Sequence, residues 1–222
     1  MKRTLPISNA KYPRTPYLSY NDNISKDSPM ILYPHDFENK NVIVSVKLDG
    51  ENTTMTHERV YARSLNTASH ESRDWIRTLH GQLKFFIPNG YKVCGENMYA
   101  KHSIHYKNLD TYFYVFSVFN EFNECLCWPD TVSFCKKIGL KPVYSIYNGP
   151  YDKNRIQNAF DAYKQVAADE VEGYIIRNAD RFLYDDFHMN VGKFVSKKFK
   201  EELFNTDDHW MTQKVVKNII KK

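Results

Sequence analysis

The stretch Val42-Ile43-Val44-Ser45-Val46-Lys47-Leu48-Asp49-Gly50-Glu51-Asn52 decides how the rest of this chain is read. Its first half alternates like a strand, and the Asp-Gly two residues beyond Lys47 is a turn signal. A lysine at that junction is held in place by the strand behind it. Its amine, with an ordinary pKa of about 10.4, is protonated at neutral pH, so a nucleophilic role needs desolvation or neighbouring cations. Lys193 and Arg63 are the candidate cations. Taken alone, Lys-x-Asp-Gly equally describes an exposed lysine ahead of a hairpin turn, so the surrounding sequence must decide.

Outward from this stretch, β-branched and aromatic runs at 59–63, 92–96, 112–119, 171–177 and 191–195 join 42–47 as predicted strands. Trp75, Ile76, Leu79, Leu83 and Phe86 fall at helical spacing over 69–86, with Ser69 or Ser72 as cap. Residues 130–138 ahead of Gly139 predict a second helix, and 154–168 a third. From Asp207 onward, Trp210, Met211, Val215, Ile219 and Ile220 share one helical stripe, which predicts a C-terminal helix over 207–222 with Lys214, Lys217, Lys221 and Lys222 on its polar face. The order is too irregular for repeated βαβ units. An α+β fold of mainly antiparallel sheets flanked by helices is expected.

The 222 residues, 42% hydrophobic and 15% aromatic, suffice for a substantial core, and no repeat or low-complexity tract divides them, so a single domain over 1–222 is expected. Residues 1–40 hold five of the nine prolines and read as a strap over that domain, where Arg3, Lys11 and Arg14 offer charge. No run of about 18 apolar residues and no signal region follows Met1, which predicts a cytoplasmic protein without membrane contact. Cys94, Cys125, Cys127 and Cys135 lack zinc-like spacing and read as reduced, mostly buried thiols. The formal charge of +5 suits a polyanionic partner without specifying one.

Five later positions keep order with Lys47: Arg63 in Tyr61-Ala62-Arg63-Ser64, Glu96 in Val93-Cys94-Gly95-Glu96-Asn97, Phe116 in Phe113-Tyr114-Val115-Phe116-Ser117, Glu172 in Glu172-Gly173-Tyr174-Ile175-Ile176-Arg177, and Lys193 in Val191-Gly192-Lys193-Phe194. Each alone is an ordinary turn or core residue. In this order, over about 42–199, the set resembles the motifs of the covalent nucleotidyltransferases: ATP-dependent DNA ligases, RNA ligases and messenger-RNA capping enzymes. The resemblance implies the ligase adenylation-domain fold, with ATP and Mg²⁺ (or Mn²⁺) as cofactors. It also implies roles. Lys47 attacks the α-phosphorus of ATP to form lysyl-AMP, Asp49 lies near the reacting amine, Glu96 receives the ribose hydroxyls and Phe116 stacks on the purine. Glu172 holds the metal, Lys193 places positive charge at the α-phosphate, and Arg63 binds the donor 5′-phosphate. Phe113 is expected to pack rather than stack.

Asn52 stands where DNA ligases and capping enzymes carry arginine, which is similar to the RNA ligase 2-like branch and adds Asn52 to the nucleotide-binding set. Residues 94–106 and 206–211 are also similar to small RNA ligase-like proteins of bacteria and phages. Two positions depart: Ser117 replaces an aspartate, and Val195 the second lysine of the last motif, with Lys197 or Lys198 as candidates to reach in from the next turn. No OB-fold is expected after the last motif. Lys101, His102, His105, Tyr106 and Lys107 form a basic, aromatic segment suited to phosphate or a base, or a solvated loop. The resemblance implies an ATP-dependent RNA ligase, monomeric, joining 5′-phosphate and 3′-hydroxyl ends, with a nicked duplex among the candidate substrates. A capping-type guanylyltransferase, a DNA-nick sealer and a module that binds nucleotide or RNA ends without sealing are the alternatives.

Overall fold

Alternation in the central strands builds the site-bearing sheet. The computed structural model describes residues 11–21, 31–65, 70–196 and 214–221. Its strands are β1 (Tyr17–Leu18), β2 (Ile31–Leu32), β3 (Asn41–Lys47), β4 (Glu51–Met55), β5 (Val60–Ala62), β6 (Lys92–Asn97), β7 (Phe113–Phe119), β8 (Glu124–Cys125), β9 (Lys141–Pro142), β10 (Ser145–Pro150), β11 (Gly173–Asn178), β12 (Phe182–Leu183) and β13 (Val191–Val195). The helices are α1 (Asp74–Leu83), α2 (Trp128–Ile138), α3 (Lys153–Val166) and the short α4 (Phe187–Asn190).

Among the described residues the strands form two sheets, ordered β10-β3-β11-β13-β1-β2 and β12-β8-β7-β6-β4-β5, with β9 beside β7. Pairing is antiparallel except where β1 meets β13 and β2 and where β9 meets β7. In the first sheet Val42, Val44, Tyr174 and Ile176 pack with Ile156 and Phe160 of α3. Period-2 alternation therefore turns Ser45, Lys47, Ile175 and Arg177 to the other face. Phe113, Val115 and Val93 of the second sheet pack with Ile76 of α1 and Cys135 and Ile138 of α2. The expected α+β architecture of mainly antiparallel sheets with helical flanks is borne out.

One alternative is set aside and one expectation is corrected. The turn after Lys47 does not close a hairpin, because β3 and β4 belong to different sheets and Leu48, Asp49 and Gly50 cross between them. Gly50 is needed there for close approach: a Cβ would lie 2.6 Å from the Asn97 carbonyl oxygen and 2.7 Å from Met98 Sδ. At the C-terminus, 214–221 is extended, with bridges pairing Lys217 to Ala100 and Ile220 to Leu109. The helical stripe is overridden because the backbone groups of 99–109 offer hydrogen-bond partners to this segment. Lys217 accordingly lies over the rings of Tyr99 and Tyr112, and Lys221 pairs with Asp110, rather than forming a helix face. Trp210, Met211, Arg3, Lys197 and Lys198 lie outside the described residues.

Smaller differences have local causes. Of the two predicted caps of the first helix, Ser69 lies outside the described residues, and Ser72 gives its N–H to the side chain of His70 ahead of a 3-10 turn at Glu71–Arg73. β4 and β10 were not foreseen: Glu51-Asn52-Thr53-Thr54 is polar, and β10 contains Gly149 and Pro150 on an edge. Phe113 is fully buried, as expected, and Cys94, Cys125 and Cys135 are buried free thiols with Cys127 half-buried. No helix among the described residues is long and apolar enough to cross a membrane.

Candidate active site

A cavity of about 330 Å³ is lined from both sheets. Ser45 and Lys47 reach it from β3, Ile175 and Arg177 from β11, and Val191 and Lys193 from β13. Asn52 comes from β4, Glu96 from β6, Phe116 and Ser117 from β7, and Arg63 from the turn after β5. Six of the eight sequence-predicted site residues thus line one cavity. Glu172 lies buried beside it and Asp49 is turned away.

The register explains the grouping. Lys47 faces Gly173 across β3 and β11, and Ile175 faces both Ser45 and Lys193. Gly173 admits no side chain, since a Cβ would lie 1.9 Å from the Phe194 carbonyl oxygen. Glu172, just ahead of it, sends its carboxylate to Lys47, with Oε2 at 2.6 Å from Nζ. Burial opposes the charge on Lys47 most strongly, yet Glu172, Glu96 and Asp49 outweigh it and hold the ammonium above its ordinary value. Lys193 and Arg63 are therefore not the groups that set the state of this amine, as the sequence suggested. Burial likewise raises the Glu172 carboxyl, against the opposing pull of Lys47.

Glu96 is strongly perturbed. Burial pushes it up to about 8, Lys47 opposes the shift, and Glu172 and Asp49 add to it, while the Gly50 N–H donates to its carboxylate. Directly across the β4–β6 ladder stands Asn52, whose Oδ1 is buried and has no hydrogen-bond partner among the described residues. A buried acceptor without a donor is costly, and one that opens on a cavity suits a ligand donor.

Phe116 faces the cavity by alternation, since Phe113 and Val115 face the helix-side core. In the β6–β7 ladder Cys94 pairs with Ser117 and Gly95 with Val115, so Phe116 is the extra residue of a bulge, and Ser117 lines the cavity beside it. Arg177, itself buried, donates to the Phe116 carbonyl at 3.4 Å and to the Leu126 carbonyl at 2.7 Å.

Asp49 acts on Lys47 through space and favours its charged form, while its Oδ2 accepts the backbone N–H groups of Ser103 and Ile104 at 2.7 and 2.9 Å. In the basic segment 101–107 Lys101 and Lys107 are exposed, while Tyr106 is buried and its hydroxyl accepts the Asp49 N–H at 3.0 Å.

Sequence reasoning named Arg14 of the strap but missed Tyr12 and Tyr17. Tyr12 meets Phe116 edge-on with centroids 4.8 Å apart, and its hydroxyl lies 3.4 Å from Ser117 Oγ. Lys193 Nζ sits 4.1 Å from the centre of the Tyr17 ring, and Arg14 lines the cavity wall. Aromatic residues among prolines were the only signal. Arg73 was also missed; its guanidinium grips both oxygens of Glu51 and fastens the start of α1 to β4. No motif marks that pair. Val195, at the position of the second motif lysine, is a core residue.

Among the described residues no group of three or more His, Cys, Asp or Glu is arranged to hold an ion alone. Mg²⁺ and Mn²⁺ do not require such a group, since they bind through one or two carboxylates together with phosphate and water.

No curated protein sequence matches the chain. By structure it is similar to an archaeal ATP-dependent RNA ligase, at 14% identity and a TM-score of 0.53 over 75% of this chain and 45% of that one. It is also similar to a Naegleria gruberi RNA ligase mutant with ATP and Mn, at 16% identity and 0.55 over 89% and 59%. The same organism's ligase with PPi gives 18% and 0.52 over 78% and 54%. The chain spans about half the length of these structures' chains. At such identities the likeness establishes the nucleotidyltransferase fold alone. The sequence itself matches the RNA ligase family over residues 40–199, a span that runs from the start of β3 past Lys193 and takes in all eight site positions, and on that match the chain belongs to the RNA ligase family.

Proposed function

We propose that this chain carries out ATP-dependent RNA ligation, with Lys47 as the residue that takes up AMP. The observation that supports it most is the convergence of Lys47, Glu96, Asn52, Phe116 and Lys193 on one cavity with Glu172 hydrogen-bonded to the amine. The structural neighbours that hold ATP and Mn, or PPi, agree with this chemistry, as substrate and leaving group of the first step.

Phe116 and Ile175 offer flat and apolar surface to the purine, and Asn52 Oδ1 with Glu96 offers acceptors to the ribose hydroxyls. Lys193 places its charge by the α-phosphate. Lys47 Nζ, after losing one proton to water, attacks the α-phosphorus, and the nitrogen gives up its second proton to water as the bond to phosphorus forms, so that Glu172 stays ionised. A phosphorus–nitrogen bond forms, the bond to the β-phosphate oxygen breaks, and pyrophosphate leaves. Glu172 is also the hard-oxygen group that would hold Mg²⁺ or Mn²⁺, and the bound ion supplies neutralisation of charge on the phosphates. AMP then passes to a donor 5′-phosphate gripped by Arg63 and Arg14, and an acceptor 3′-hydroxyl displaces it. The partner is RNA with 5′-phosphate and 3′-hydroxyl ends, a nicked duplex included, met by a monomer in the cytoplasm.

One observation favours a second reading, a module that binds nucleotide or RNA ends without sealing: Val195 packs in the core where the family motif carries its second lysine. Supplying pre-adenylylated RNA with an acceptor strand separates the two, since the ligase yields joined product and the module none. GTP labelling in place of ATP would favour a capping-type enzyme.

A further inference from the structure

The loop that follows Lys47 has no ladder of its own. Leu48, Asp49 and Gly50 cross between the sheets, and three bonds fasten them to a second loop: the Asp49 N–H to Tyr106 Oη at 3.0 Å, and Ser103 and Ile104 N–H to Asp49 Oδ2 at 2.7 and 2.9 Å. The second loop, residues 98–112, is likewise outside the sheets apart from isolated bridges. It is held by 214–221. Lys101 N–H donates to Val216 O at 2.7 Å, Asn218 N–H to Tyr99 O at 3.0 Å, Ile219 N–H to Tyr106 O at 2.9 Å, and Leu109 N–H to Ile219 O at 3.0 Å.

Asn218 is the centre of this clamp, at 1% exposure. Its Nδ2 donates to the carbonyls of Met98 and Ala100 at 2.8 and 3.2 Å. Its Oδ1 accepts the Tyr106 N–H at 2.9 Å across 112 residues of sequence, and its own carbonyl accepts the Tyr112 hydroxyl at 3.0 Å. Two donors and one acceptor on a short side chain match these three backbone groups. Aspartate would set an acceptor against two carbonyls, and leucine would leave all three groups buried without partners.

We infer that Asn218 is a positioning residue for the nucleophile, acting through Tyr106 and Asp49 to fix the backbone on which Lys47 stands. The inference rests on the reading of Lys47 as the adenylylated residue and adds a determinant that lies far from the cavity in sequence. Asn218 fixes the backbone of Tyr106, the Tyr106 hydroxyl caps Asp49, and Asp49 closes the circuit on 103–104. An amine placed to within a fraction of an ångström reacts fast, while binding of the purine by Phe116 and of the ribose by Asn52 does not draw on this circuit.

The test uses the full chain, α-labelled ATP and Mg²⁺. Tyr106→Phe removes the hydroxyl that caps Asp49 and keeps the buried ring, and Asn218→Asp removes the two donors to Met98 and Ala100. Both should lower the maximal rate of Lys47 labelling by about tenfold or more with the KM for ATP unchanged. Amide exchange should rise at Asp49 in both. A merely structural role would lower the melting temperature and leave the maximal rate of the folded protein alone. If the native chain labels at Lys47 and Tyr106→Phe labels at the native rate, the positioning role is overturned and the nucleophile stands. If the native chain does not label, the reading of Lys47 fails and this inference falls with it.

Discussion

Lys47 Nζ and Glu172 Oε2 lie 2.6 Å apart, joining the last residue of β3 to the residue that precedes β11. The pair stabilises the ligand-free site by compensation, because each partner alone would be a charge in a poorly solvated place. Lys47→Met should therefore lower the unfolding free energy by about 1–3 kcal/mol, less than for a fully buried pair because the lysine side chain is 23% exposed. Lys47→Met/Glu172→Gln should recover part of that loss. Urea denaturation of the two variants measures it, and a double variant as unstable as the sum of the single losses would speak against the coupling.

Gly173 has no room for a side chain. Gly173→Ala should cost about 3 kcal/mol, since the Phe194 carbonyl sits where the methyl would go and β13 must shift, taking Lys193 with it. Gly81, inside α1 with nothing within 4 Å of its built Cβ, gives the opposite sign: Gly81→Ala should stabilise by about 0.5–1 kcal/mol. Melting temperatures of the two alanine variants should move in opposite directions.

Glu96 makes stability depend on pH. In the folded chain it keeps a proton up to about 8, whereas its ordinary value is 4.5. Between these limits the folded state binds more protons than the unfolded one, so stability is full below pH 4.5 and falls as pH rises toward 8, by about 1.4 kcal/mol per unit at most. Glu96→Gln cannot ionise and should flatten that slope. Thermal unfolding across pH 5 to 8, in the absence of nucleotide, compares the two; parallel slopes would contradict the assignment.

Phe116 and Asn52 should act on nucleotide binding. Phe116→Leu, which removes the stacking face, should raise the KM for ATP by about tenfold, the worth of a base–aromatic stack at its lower end. Asn52→Leu removes the acceptor left without a partner in the ligand-free cavity, so it should weaken ATP binding while leaving the unliganded fold as stable as before or more so. Equal losses of stability and binding in Asn52→Leu would count against that division.

How much of this was legible in sequence depends on whether a residue's partners are near it in the chain or carried by a motif. Lys47, Glu96, Phe116, Glu172 and Lys193 could be named because their order has a recognisable pattern, and the strands that carry them are apolar and β-branched. β4 escaped because Glu51-Asn52-Thr53-Thr54 is polar, and its burial comes from the flanking β5 and β6. The bulge that sets Ser117 beside Phe116 on the cavity wall belongs to a pairing register, which a single strand cannot reveal.

The C-terminal stretch misled for a related reason. Val215, Ile219 and Ile220 do fall at helical spacing, but Asn218 between them has its side chain committed to Met98, Ala100 and Tyr106. A helix there would forfeit those bonds. Asp49 was placed near Lys47 by the motif resemblance, and no sequence pattern shows that its carboxylate also serves the loop at 103–104. Tyr12 and Tyr17 carry no motif, and only the fold brings them against Phe116 and Lys193.

The central claim is that Lys47 is the residue adenylylated by ATP. Incubation of the native chain with α-labelled ATP and Mg²⁺, followed by peptide mapping, tests it directly, with Lys47→Arg as the companion variant that keeps the charge beside Glu172. The account predicts an acid-labile label on the peptide holding Lys47 and none on the variant. A label on the variant equal to that on the native chain, or one mapped to a different lysine, would contradict it.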